Sequence, residues 1–122
     1  MQVIKTESTL FFDVDQTLVM WGKLKKKYKA VAITCPYQGE QYYLRPHQGH
    51  IKVLKDRKVR GSFIVVWSAG GYAWAEAVVK ALNLTNYVDL IMSKPHAYCD
   101  DKIATEFMGE RIYLEIDDNY GQ

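Results

Sequence analysis

Four short apolar runs punctuate the chain: TLFFDV at 9–14, SFIVVWS at 62–68, YVDLIMS at 87–93 and RIYLEI at 111–116. Each reads as a strand, and the unbroken apolar character of the first predicts burial on both faces, as in a parallel sheet. Between the runs the period changes. Ile51 and Leu54 recur at helical spacing in a segment that begins at Pro46 and stops at Gly61. Trp74, Ala77, Val78, Ala81 and Leu82 mark one face of a second helix after the Gly70-Gly71 break. Residues 100–108 predict a short third helix with Ile103 and Phe107 turned inward, its opening Asp100 and Asp101 suited to the positive end of the helix dipole. In AVAITCPYQGEQYYL, β-rich runs at 30–34 and 41–44 flank Pro36 and Gly39, which predicts a β-hairpin.

Strand and helix therefore alternate, and the expected class is α/β. The expected architecture is a Rossmann-like three-layer sandwich with a mainly parallel sheet and a β-hairpin flap, about residues 21–45, after the first strand. A chain of 122 residues has room for one domain, so 1–122 is read as a single unit. Hydrophobic residues make up 48% and charged residues 25%, the mix of a chain with a real core. The apolar runs are far too short to cross a membrane, and no signal peptide is visible at the N-terminus. Cys35 and Cys99 form neither a CxxC pair nor a zinc spacing, which predicts a cytoplasmic setting without disulfides.

Charge changes the picture more than composition does. The formal net charge is only +2, yet positions 21–60 hold eleven Lys or Arg against two acids. Such a segment suits an anionic partner, or equally a solvated hairpin and helix face.

The candidate chemistry lies at the strand ends. The first strand finishes in Asp13 and Asp15, the second in Ser68, the third just before Lys94 and the fourth in Asp117 and Asp118. Ligands of open α/β sheets bind at the carboxyl ends of the strands, so these groups are expected to converge. Two carboxylates in close approach repel by up to ~4 kcal/mol at an effective dielectric near 20. A cation offsets that, and an all-oxygen donor set points to Mg²⁺.

In these residues the chain resembles the haloacid dehalogenase (HAD) superfamily of phosphohydrolases. The first family motif, Asp-x-Asp-x-Thr after an apolar strand, is matched by Asp13-Val14-Asp15-Gln16-Thr17. Ser68 matches the second, Lys94-Pro95 the third, and Asp117-Asp118 in YLEIDD the fourth. The resemblance implies a Mg²⁺-dependent phosphatase with Asp13 as the nucleophile and Asp15 as the general acid/base. It implies a metal site of Asp13, Asp15 (through its main-chain carbonyl), Asp117 and Asp118. It also implies that Thr17, Ser68, the backbone at Ala69 and Lys94 bind the phosphoryl group.

Only 26 positions separate Ser68 from Lys94, enough for a helix and a strand but no cap domain, and four residues follow Asp118. A minimal, capless member is expected, with an open site and a macromolecular substrate, a nucleic-acid end slightly ahead of a phosphoprotein. That substrate would be drawn by the flap lysines Lys23, Lys25, Lys26, Lys27 and Lys29 and by Arg45, with Lys52, Lys55 and Arg57 added on the first helix. The alternatives are a small-metabolite or nucleotide phosphatase, a receiver-like domain, and a catalytically silent phosphate-binding module. A receiver carries its phosphorylated Asp on a middle strand, where this chain has Ser68 and Ser93. A silent module has no use for Asp15. His47 and His50 are read as helix-start residues, His96 as a surface-loop residue, and Lys102 as the rival to Lys94. Gln16 stands where the family more often has Gly, Asp or Glu.

Overall fold

The computed structural model describes residues 8–22 and 29–116. Three strands, β1 (Thr9–Asp13), β5 (Phe63–Ser68) and β6 (Leu90–Ser93), form a parallel sheet in the order β1-β5-β6. Between β1 and β5 the chain makes a small antiparallel sheet of β2 (Val19–Met20), β3 (Val31–Thr34) and β4 (Gln41–Pro46), in the order β2-β4-β3. The β3–β4 pair is the expected hairpin. Helix α1 (Gln48–Val59) leads into β5, and α2 (Tyr72–Ala81) connects β5 to β6. The chain is thus mixed α/β with a mainly parallel sheet. No described helix is long and apolar enough to cross a membrane.

Both α1 and α2 pack on the same sheet face. The sheet residues that join their core, Leu10 and Phe12, Ile64 and Val66, and Ile91, alternate along the strands and so share one side. Ile51 and Leu54 of α1, Ala75, Val78 and Val79 of α2, and Ile33 and Leu44 of the hairpin complete that core. Burying each such Leu, Ile or Val stabilises by about 1.5–3 kcal/mol. The other face carries Phe11, 40% exposed, which packs on Trp67 with ring centroids 4.2 Å apart. β1 is therefore covered fully on one face only, not on both as its unbroken apolar run predicted. Neither α1 nor α2 supplies the third layer of the expected sandwich.

Three further expectations are corrected. β6 starts at Leu90 and not at position 87, because a 3₁₀ turn occupies Thr85–Tyr87 and the Asp89 carboxylate accepts from Ile64 N at 2.8 Å. Helix α3 spans only Ala104–Phe107, with Ile103 61% and Phe107 49% exposed and so not turned inward. Asp100 Oδ1 accepts from Lys102 N at 2.9 Å, a local turn that competes with an earlier helix start. Residues 111–116 form no strand. Both backbone polar groups of Leu114 are instead held by imidazole rings, which leaves neither for a ladder.

The direction of α1 decides where its cations lie. It runs antiparallel to the sheet, from the carboxyl ends of the strands back to their amino ends. Arg57 there donates to Ser8 Oγ at 3.2 Å, and Lys58 pairs with Asp89 at 2.6 Å. Lys55 lies over the Tyr87 ring at 5.2 Å. Lys55 and Arg57 are half-buried, so the exposed basic face expected of Lys52, Lys55 and Arg57 keeps only Lys52 fully open to solvent.

Candidate active site

The parallel register brings three of the predicted groups to one edge. Asp13 lies opposite Trp67, and Ser68 opposite Ser93, so β1, β5 and β6 end in a row. Lys94 continues from β6, with its backbone N–H on Ser68 O at 2.9 Å and its Nζ 5.9 Å from the Trp67 ring centroid. The ammonium thus leans over the residue directly across from Asp13. Thr17 Oγ1 donates to Asp13 Oδ2 at 3.5 Å, a long contact that orients the half-buried carboxylate. Ser68 is fully buried, and its Oγ accepts from Gly70 N at 3.0 Å. Ala69 is exposed in the turn that follows. Asp117 and Asp118 lie outside the described residues.

Asp15 faces elsewhere. Its Oδ1 accepts from Trp21 Nε1 at 2.7 Å and from Trp74 Nε1 at 3.1 Å. It forms part of the wall of a cavity of about 330 Å³ that is otherwise lined by Trp21, Cys35, Tyr37, Tyr42, Gly70 and Trp74. The hairpin supplies Cys35, Tyr37 and Tyr42, and so lies against the strand ends. Tyr42 OH donates to Glu40 Oε2 at 2.7 Å, which raises the phenol pKa above its ordinary value. The repulsion between Asp13 and Asp15 is thus eased by geometry: one carboxylate is turned toward Thr17, the other toward two indole N–H donors.

The loop between the two aspartates and β2 is closed by Gln16, which sits in the left-handed region at φ 61°. Its N–H donates to Val19 O at 2.8 Å, and its Oε1 accepts from Trp21 N at 2.6 Å. Its carbonyl accepts from Tyr113 OH at 3.0 Å. A non-glycine residue held there costs about 1–2 kcal/mol, which these three bonds offset. Its place in a tight loop with three partners gives Gln16 a structural role.

His47 and His50 start α1, as expected, and do more than that. Their rings stack at 3.7 Å. His47 Nδ1 accepts from His50 N at 3.1 Å, so its Nε2–H donates to Leu114 O at 2.8 Å. His50 Nε2 accepts from Leu114 N at 2.8 Å, so its Nδ1–H donates to Thr17 O at 2.7 Å. The two rings therefore carry opposite neutral tautomers. They tether Leu114, three positions before Asp117, to the loop that carries Thr17. Burial, with a smaller contribution from His47, lowers the His50 pKa against the opposing bond to Thr17.

Among the described residues no group of three or more His, Cys, Asp or Glu side chains is placed to hold a metal ion. Of the four acids expected to hold Mg²⁺, Asp13 and Asp15 are described and stand at the strand end with hard oxygen donors. No protein-family model, curated protein or solved structure matches the chain.

Proposed function

We propose that the protein is a Mg²⁺-dependent phosphatase that works through an aspartyl-phosphate, on a Rossmann-like frame of the HAD type. The observation that carries this reading is the row of strand ends. Asp13, Ser68 and Lys94 follow three neighbouring parallel strands in the order that the HAD motifs require, and Asp15 lies two residues beyond Asp13.

Asp13 attacks phosphorus, so an Asp13–phosphorus bond forms as the ester P–O bond breaks. Asp15 gives its proton to the departing oxygen, then takes one from the water that releases inorganic phosphate from Asp13. Lys94 offsets charge on the moving phosphoryl group, and the Ser68 hydroxyl and the backbone N–H of Ala69 bind its oxygens. A Mg²⁺ ion held by Asp13, the Asp15 carbonyl, Asp117 and Asp118 would shield the phosphoryl oxygens from the attacking carboxylate. In this reading the substrate is a macromolecular phosphomonoester, for which Trp21 and Tyr37, 42% and 61% exposed in the pocket lining, leave room to approach.

The test is hydrolysis of phosphomonoesters with Mg²⁺, with chelator, and in Asp13→Asn. Chelation and the amide substitution should each abolish turnover while the circular dichroism spectrum stays unchanged. Substantial turnover by Asp13→Asn would sink the assignment, because an amide cannot serve as the nucleophile.

A further inference from the structure

We infer that the cavity beside Asp15 receives the aromatic ring of an aryl phosphate, and that the substrate is a phosphotyrosine side chain on a protein. This rests on the phosphatase reading above and goes further by assigning the leaving group.

If Asp15 protonates the leaving oxygen, whatever is bonded to that oxygen must lie on the side that Asp15 faces. That side is the cavity. Among the described residues its lining contains one charged group, Asp15 itself, and no cation. This described wall offers a second phosphate or a polyanionic backbone nothing to offset its charge, so an apolar part of the substrate suits it better. The remaining walls are aromatic or apolar. Trp21, Tyr42 and Trp74 pack on one another with centroids 5.0 Å apart for Trp21–Tyr42 and 6.2 Å for the other two pairs. They make one continuous aromatic wall, and Tyr37 comes in from the hairpin turn. A planar ring entering there makes offset or edge-on contacts with its neighbours.

Size and connectivity narrow the choice. About 330 Å³ is at the small end of ligand cavities, which suits a single ring. In an aryl ester the ring is bonded directly to the oxygen that Asp15 protonates. In a nucleotide a ribose and its hydroxyls intervene, and this lining offers few polar partners for them. On α1 the described cations agree, while Lys23, Lys25, Lys26 and Lys27 lie outside the described residues. Arg57 and Lys58 are bonded at the opposite edge of the sheet, away from the strand ends where a nucleic acid would need them.

The experiment compares kcat/KM for a phosphotyrosine peptide, the same peptide with phosphoserine, and a phosphate-ended oligonucleotide, in wild type, Tyr37→Ala and Tyr37→Phe. Tyrosine phosphate has the better leaving group, so the informative quantity is the change in the tyrosine-to-serine ratio between variants. Tyr37→Ala should lower that ratio about tenfold, through KM. Tyr37→Phe, which keeps the ring, should restore it. An unchanged ratio, or a larger loss on the oligonucleotide than on the phosphotyrosine peptide, overturns the inference while the phosphatase reading stands. If wild type with Mg²⁺ hydrolyses none of the three, the phosphatase reading fails and the inference fails with it.

Discussion

Trp74 donates its indole N–H to Asp15 Oδ1 at 3.1 Å across 59 residues of sequence. The bond joins the first turn of α2 to the loop that leaves β1. With the second indole donor, Trp21, it fixes the Asp15 carboxylate in the cavity wall and away from Asp13. The acid and the nucleophile of the proposed reaction are thereby separated, one facing the leaving group and the other the strand ends.

Trp74→Phe keeps most of the buried ring and removes the donor. Hydrogen bonds to charged groups contribute about 1.5–3 kcal/mol, so urea denaturation should show a loss of about 2 kcal/mol. Trp21→Phe should cost less, under about 1 kcal/mol, because Trp21 is half-exposed and water can replace its N–H. A double-mutant cycle with Asp15→Ala, which removes the acceptor, should show coupling for Trp74. Additive effects would mean that the bond carries no weight.

The strand ends were legible in the sequence because a buried parallel strand has to be apolar until it reaches the edge, and Asp13, Ser68 and Lys94 stand at such edges. The coverage of each face was not. An unbroken run such as TLFFDV fits burial on both faces, but only neighbouring elements decide whether Phe11 is covered. Ile103 and Phe107 have helical spacing, which says that they share a side and not that the side is buried. The lysines of α1 were visible, yet the antiparallel course of the helix carries its second half away from the site. The two indole bonds to Asp15 depend on the approach of distant elements, and no local pattern announces them. Leu114 reads as part of a strand until the two imidazoles take its N–H and C=O. The acids at 117 and 118 lie outside the described residues.

Gly71 links the hairpin to the site. It lies at φ 100°, and a Cβ built on it would come to 2.5 Å from Tyr37 Oη. Gly71→Ala therefore combines backbone strain with a push against the hairpin turn. At ψ 165° this is a conformation essentially restricted to glycine, and the strain alone costs about 1–3 kcal/mol. Thermal unfolding should show a drop of at least that size, and turnover of an aryl phosphate should fall along with it. A variant as stable as wild type would mean that the turn is not held as described.

His50 makes stability depend on pH. Its folded pKa is lowered, chiefly by burial, so between that value and the unfolded 6.5 the unfolded chain binds more protons than the folded one. Stability should therefore rise with pH through this window and be lost as pH falls below about 6.5. A cation there would also lose the Nε2 acceptor that holds Leu114 N–H. Denaturation midpoints at pH 7.5 and 5.5 measure the effect. His50→Gln, whose amide oxygen can still accept from Leu114, should flatten the dependence even if it lowers stability overall. An equal slope in the variant would assign the pH effect to other groups.

Lys94 and Lys102 offer the sharpest check on the site, because sequence alone left them as rivals. Lys94 leaves the end of β6 with its N–H bonded to Ser68 O, and its ammonium lies over Trp67, the residue across from Asp13. Lys102 sits eight positions on, in an exposed bend whose backbone is held by Asp100. Charge on a phosphoryl group in transfer is stabilised only by donors already aimed at it, and removing one such donor typically costs ~10²–10³ in kcat. Lys94→Ala should lower kcat into that range, and Lys94→Arg should recover part of it. Affinity for Mg²⁺, measured by titration, should change little, since an ammonium is not a ligand. Lys102→Ala should leave kcat within about twofold, as expected for an exposed surface substitution. If the Lys102 variant were the impaired one, the charge that serves the reaction would not come from the end of β6, and the row of strand ends would lose its third member.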